Sequence, residues 1–114
     1  MNTRKILAAA LLGACLSAPV THAAEGKVTI SAPTKGAILD SMDENRLVYS
    51  VDPGPRGDHV HVYVDDREVG ILRQLKGSYL LESMASGQRD ICVKVVNKAH
   101  VPIGIQDCVK VTVK

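Results

Sequence analysis

An all-β sandwich is the fold this sequence predicts, and three observations carry that expectation. Apolar residues recur every second position in several short runs, which is the period of strands buried on one face. Clusters of proline, glycine and acidic residues punctuate those runs at the spacing of sandwich strands. No stretch of convincing length shows the helical period of an amphipathic helix.

The first two dozen of the 114 residues stand apart from this pattern. Arg4 and Lys5 give a basic head, Ile6 to Leu16 are almost purely apolar, and Thr21-His22-Ala23-Ala24 places small residues where a signal peptidase cuts. These are the three parts of a secretory signal. The apolar run is shorter than the about 20 residues a membrane-spanning helix needs. We therefore expect a cleaved signal peptide over 1–24 and one domain over 25–114, with no transmembrane segment in the mature chain. Leu12-Gly13-Ala14-Cys15 resembles a lipobox, and lipidation at Cys15 would add a membrane tether. The short apolar segment ahead of Cys15 and the conventional cleavage site after it weigh against that tether.

Within the domain, Val28 and Ile30 mark the first strand, which Pro33 and Gly36 interrupt and Ala37 to Leu39 continue on the other sheet. Asp40 to Asn45 is polar and turn-like, and Arg46 to Val51 forms the second strand. Asp52-Pro53-Gly54-Pro55-Arg56-Gly57 reads as a loop, since its prolines and glycines remove donors and set unusual backbone angles. In the next run Val60, Val62 and Val64 alternate with His59, His61 and Tyr63. The valines face the core, so both histidines stand on the outer face, about 6.5 to 7 Å apart along the strand. Asp65-Asp66-Arg67 turns the chain into Glu68 to Leu72. Arg73 to Gly77 is polar, Ser78 to Glu82 is a further strand, and Ala85 to Gln88 closes that section.

The last two strands have the clearest alternation. Ile91, Val93 and Val95 interleave with Cys92 and Lys94; Val109, Val111 and Val113 interleave with Cys108, Lys110 and Thr112. Cys92 and Cys108 are the pair left after the signal, and in an oxidising compartment such a pair reads as one disulfide. A thiolate metal site would want two more soft ligands close in sequence, and none is offered. If the strands form a hairpin with Cys92 opposite Cys108, Lys94 pairs with Gln106 and Val96 with Gly104. The loop from Asn97 to Ile103 then carries His100 at its middle.

Loss of residues 1–23 removes Arg4 and Lys5 and leaves basic and acidic residues equal in number. A neutral domain lacks the basic excess of a nucleic-acid binder, so no nucleic acid is expected as a partner. The acidic group Asp65, Asp66 and Glu68 reads as a solvated hairpin tip, because the longer ligand pattern of a calcium loop is missing. Met84 reads as a core filler and Met42 as a loop residue packing back on the sandwich.

The strand order, the opening Val28-Thr29-Ile30-Ser31-Ala32-Pro33-Thr34-Lys35-Gly36-Ala37, the strand Gly77-Ser78-Tyr79-Leu80-Leu81 and the final hairpin resemble immunoglobulin-like domains of secreted bacterial proteins. The resemblance implies a single antiparallel immunoglobulin-like β-sandwich of about seven strands. The chain departs from antibody-type domains in having no tryptophan and in placing its cysteines on adjacent strands. In that fold the strand of His59 and His61 lies antiparallel to the strand of Cys92, which brings His100 towards His59, with Asp58 and Tyr63 in reach. Three imidazoles suit copper or zinc, with copper ahead by the usual affinity order.

The functional expectation is therefore a small exported, periplasmic or secreted, metal-binding accessory protein using His59, His61 and His100 in a surface cluster. No catalysis is expected: the serines show no nucleophile motif and a small sandwich offers little material for a cleft. The competing expectation is a module without metal, recognising a protein or saccharide through the outer sheet face and the loop around His100. The absence of tryptophan and phenylalanine weakens its saccharide version.

Overall fold

The computed structural model describes residues 26–114; the expected signal peptide and the lipobox-like Cys15 lie outside the described residues. The described residues form eight strands: β1 (Lys27–Ala32), β2 (Ile38–Leu39), β3 (Asn45–Asp52), β4 (His59–Val64), β5 (Arg67–Leu72), β6 (Lys76–Leu81), β7 (Gly87–Val96) and β8 (Pro102–Val113). They build a three-stranded sheet in the order β1-β3-β6 and a five-stranded sheet in the order β2-β8-β7-β4-β5. The eighth strand beyond the expected seven is β2, where the chain crosses from one sheet to the other and runs parallel to β8. Among the described residues no helix is long and apolar enough to cross a membrane.

Period-two alternation fills the space between the sheets. Val28, Ile30, Leu47, Tyr49 and Leu81 point inward from one sheet, and Val60, Val62, Ile91, Val93, Val95, Val109, Val111 and Val113 from the other. Short β-branched side chains dominate the second set, which suits a closely packed inter-sheet layer. Met84 packs against this core. Met42 does not pack back on the sandwich as expected; at 89% exposed it stands in solvent, its loop being held by its own polar groups.

Two features of the large sheet set up the site. The first is that β4 lies inside the sheet, hydrogen-bonded to β5 on one side and β7 on the other. The second is the β4–β5 turn, where Asp65 and Asp66 both take positive φ, 51° and 65°. Aspartate tolerates this conformation, and the turn it makes follows the strand twist. Arg67 already pairs with Val64, so the turn is two residues and not the three expected. Asp65 is exposed at the hairpin tip as expected, but it is not held by water alone. Its carboxylate accepts hydrogen bonds from the Asp90 N–H and from Arg89 Nη1, each at 2.9 Å.

Those bonds, the Asp90 N–H first and then Arg89, hold the Asp65 carboxyl below its ordinary pKa. Because the folded value is the lower one, the associated stability is in place above the ordinary carboxylate value and is lost as pH falls through the folded value. Asp65→Asn tolerates the positive φ and can still accept the Asp90 N–H, so it removes charge alone. Urea midpoints taken from neutral pH downwards are expected to show wild type ahead at neutral pH and the two proteins converging in acid. A gap that persists in acid would show that the charge is not what matters.

Candidate metal centre

His59 and His61 sit on β4 with their rings on the face opposite the core valines, as the alternation dictates. The expectation of a surface cluster is corrected at two of its three members, since His59 and His61 are only 1% and 2% exposed. Their face of the sheet is covered where they stand: Glu68 reaches over from β5, Asp58 flanks the strand start, and the β7–β8 loop folds down with His100, which is itself exposed. Gly57 lets the chain enter β4 at this point. A Cβ there would lie 2.2 Å from the Pro53 carbonyl oxygen and 2.5 Å from a Val95 methyl carbon.

The loop presenting His100 is closed by Asn97. The Asn97 side-chain oxygen accepts the N–H groups of Ala99 and Val101 at 2.9 and 3.1 Å, and the Asn97 N–H donates to the Val101 carbonyl at 3.0 Å. His100 takes φ of 65° and donates its own N–H to the Asn97 carbonyl at 2.9 Å. Its ring is left free to turn towards β4. On the far side of the loop the hairpin register slips: Lys94 pairs with Gln106 as expected, but Val96 pairs with Pro102 and not Gly104. Gly104, at φ of 92°, takes up the irregularity.

The result is a triangle of ring nitrogens. His59 Nε2 and His61 Nε2 are 3.1 Å apart, His61 Nε2 and His100 Nδ1 3.1 Å, and His59 Nε2 and His100 Nδ1 3.3 Å. The opposite nitrogens of the two buried rings face carboxylates. His59 Nδ1 is 2.9 Å from Asp58 Oδ2, and His61 Nδ1 lies against Glu68 Oε1, to one side of a linear hydrogen bond. A carboxylate oxygen accepts only, so each Nδ1 carries the proton. In the neutral rings both Nε2 atoms then present lone pairs to each other and to His100. Only His100, in its Nδ1–H form, can donate into this triangle, and the contact between the His59 and His61 Nε2 atoms then holds no proton; a cation at the centre engages all three nitrogens. An ion about 2.0 to 2.1 Å from each nitrogen would subtend angles of about 100°, close to one face of a tetrahedron.

Electrostatics support a neutral His61 ring. Burial holds the His61 imidazole below its ordinary pKa and outweighs the opposing pull of Glu68. The Asp58 carboxyl is held low, chiefly by the hydrogen bond from His59, with help from Arg73 and Lys98. Tyr63 stands further off, its ring 6.4 Å from that of His61 with Lys94 Nζ 4.5 Å above it. Its phenol is raised by burial and then by Glu68.

A second grouping, Asp90 with Cys92 and Cys108, offers no thiolate, because the two sulfurs are joined in a disulfide across directly paired strand positions with Cα atoms 4.1 Å apart. Glu68 is the residue at the site that the sequence did not mark. A register shift between Val62 and Tyr63 pairs Tyr63 with Glu68 and aims the carboxylate at His61.

No protein-family model matches this chain, and no curated protein matches it. Solved structures do. The chain is similar to the fibronectin(III)-like modules of Clostridium thermocellum CbhA, with a TM-score of 0.64 and 19% identity over 76% of this chain and 96% of that one. It is also similar to part of an engineered protein, with a TM-score of 0.55 and 17% identity over 80% of this chain and 20% of that one. At such identities the likeness is one of fold: a fibronectin-III-like, immunoglobulin-like β-sandwich.

Proposed function

We propose that this chain is a small exported protein that holds one transition-metal ion on His59, His61 and His100. The observation that carries the reading is the triangle of nitrogens with the outward Nδ1 atoms of two ligands set against carboxylates, the arrangement by which proteins fix the tautomer of metal-bound histidine. Cu(II) leads on the affinity order at equal availability, and the near-tetrahedral face also suits Zn(II). Both nearby carboxylates are engaged by ligand rings, which favours holding an ion over turning over a substrate. The signal pattern of the first 24 residues and the disulfide support export.

The test is titration of the tag-free domain with Cu(II) and Zn(II), following the histidine ring nitrogens by NMR. One equivalent is expected, with the Nε2 signals of His59 and His61 and the Nδ1 signal of His100 shifting together. Weak binding spread over separate histidines would instead favour a module without metal that acts through this face on a partner.

A further inference from the structure

Asp58 and Glu68 do more than hold ring tautomers. Resting on the metal-binding reading above, we infer that they make the site selective for the charge of its ion, so that it binds divalent ions and holds copper as Cu(II) in preference to Cu(I). The three ligands are neutral imidazoles and contribute no charge. Each of the two buried ligand rings has its own carboxylate at Nδ1, from the loop ahead of β4 in one case and from β5 in the other. A divalent ion therefore balances the two carboxylates, whereas a monovalent ion leaves an excess negative charge beside rings that are 1% and 2% exposed.

Nearby cations do not cancel this. Arg73 Nη1 is 3.7 Å from Asp58 Oδ2 and Lys98 acts on the same carboxyl, but both side chains are exposed, Arg73 at 68%, and water screens them. Lys94 is placed over the Tyr63 ring. Carboxylates in this position also push electron density through the imidazole and raise its basicity, which favours the ion of higher charge. The donor set points the same way, because Cu(I) selects soft sulfur ligands and the described residues keep their sulfurs elsewhere. Cys92 and Cys108 are joined, Met84 packs on the core, and Met42 stands in solvent.

Asp58→Asn and Glu68→Gln test this directly, since an amide oxygen can still accept the Nδ1–H while the charge is gone. Affinities for Zn(II), Cu(II) and, without oxygen, Cu(I) would be measured by competition with colorimetric chelators, and the copper midpoint potential by voltammetry. Each variant is expected to lose about 10- to 100-fold in affinity for the divalent ions. Cu(I) affinity should hardly move, so the potential rises by about 60 to 120 mV at about 59 mV per tenfold. Equal losses for Cu(I) and Cu(II), or no loss for either, would overturn the inference and leave the metal site standing. Failure of the wild-type domain to take up any of the three ions would overturn both. Thermal unfolding of the metal-free variants, with both substituted positions partly exposed, checks that each folds; Asp58→Asn is expected to unfold somewhat below wild type at neutral pH, because the folded state favours the ionised carboxyl.

Discussion

The His61→Ala protein is expected to show no thermal stabilisation by Zn(II) under conditions where wild type gains tens of degrees. A ligand that binds only the folded state stabilises it by about 4 kcal/mol when its free concentration is a thousand times Kd. In a domain of this size that is a rise of roughly 15 to 30 °C in Tm. His61 supplies one of three nitrogens and sits at the floor of the site, so its removal leaves two donors and a gap beside Glu68. His100→Ala separates metal binding from folding. His100 is exposed on its loop, and the loop is closed by Asn97 and not by the imidazole. The metal-free His100→Ala protein should unfold within about 1 kcal/mol of wild type, since alanine tolerates the φ of 65° less well than histidine, while also losing the Zn(II) effect. Thermal scans with and without Zn(II) decide the matter, and a full metal-induced rise in the His61→Ala protein would rule out the tripod.

Much of this arrangement was legible in the residues themselves. Strict alternation in β4, β7 and β8 fixed which side chains face the core, and with it the placing of His59 and His61 on one outer face. That Cys92 and Cys108 share the face away from the valines also followed; their direct opposition, a condition at the level of sequence, is supplied by the strand register. What the alternation could not report was cover. A strand with polar residues on its outer face ordinarily shows them to water, yet here that face is roofed by Glu68, Asp58 and the His100 loop. Asp58 adjoins His59 in the chain, but Glu68 and the His100 loop meet the two histidines only through the pairing of β4 with β5 and β7.

Glu68 was missed for a related reason. In the sequence it belongs to an acidic cluster at a hairpin, and only the register shift at Val62 and Tyr63 turns it towards His61. Pairing of Val96 with Pro102 is a similar local matter, since Gly104 can adopt positive φ without announcing that it does. Asp65 completes the set: two aspartates at a turn look solvated, but the first is bonded to β7, a strand 25 residues away in sequence.

Loss of the disulfide should damage stability far more than metal affinity. The Cys92–Cys108 bridge spans a sequence separation of 16 residues, and on the chain-entropy account such a loop contributes roughly 3 kcal/mol by restricting the unfolded chain. For the Cys92→Ala/Cys108→Ala protein this implies a fall in Tm of roughly 12 to 24 °C, large for a domain whose core is so small. The same account predicts that the folded site is nearly untouched. His59 and His61 are fixed by β4 pairing with β5 and β7, and His100 by the hydrogen bonds of Asn97, none of which runs through the sulfurs. Kd for Zn(II), measured well below the lowered Tm, is therefore expected within about threefold of wild type, a difference below about 1 kcal/mol. A drop in affinity of a hundredfold or more would mean that the bridge also orders the loop in the folded state. Saturating Zn(II) should in turn restore most of the lost Tm, because about 4 kcal/mol of linkage exceeds the cost of the missing bridge.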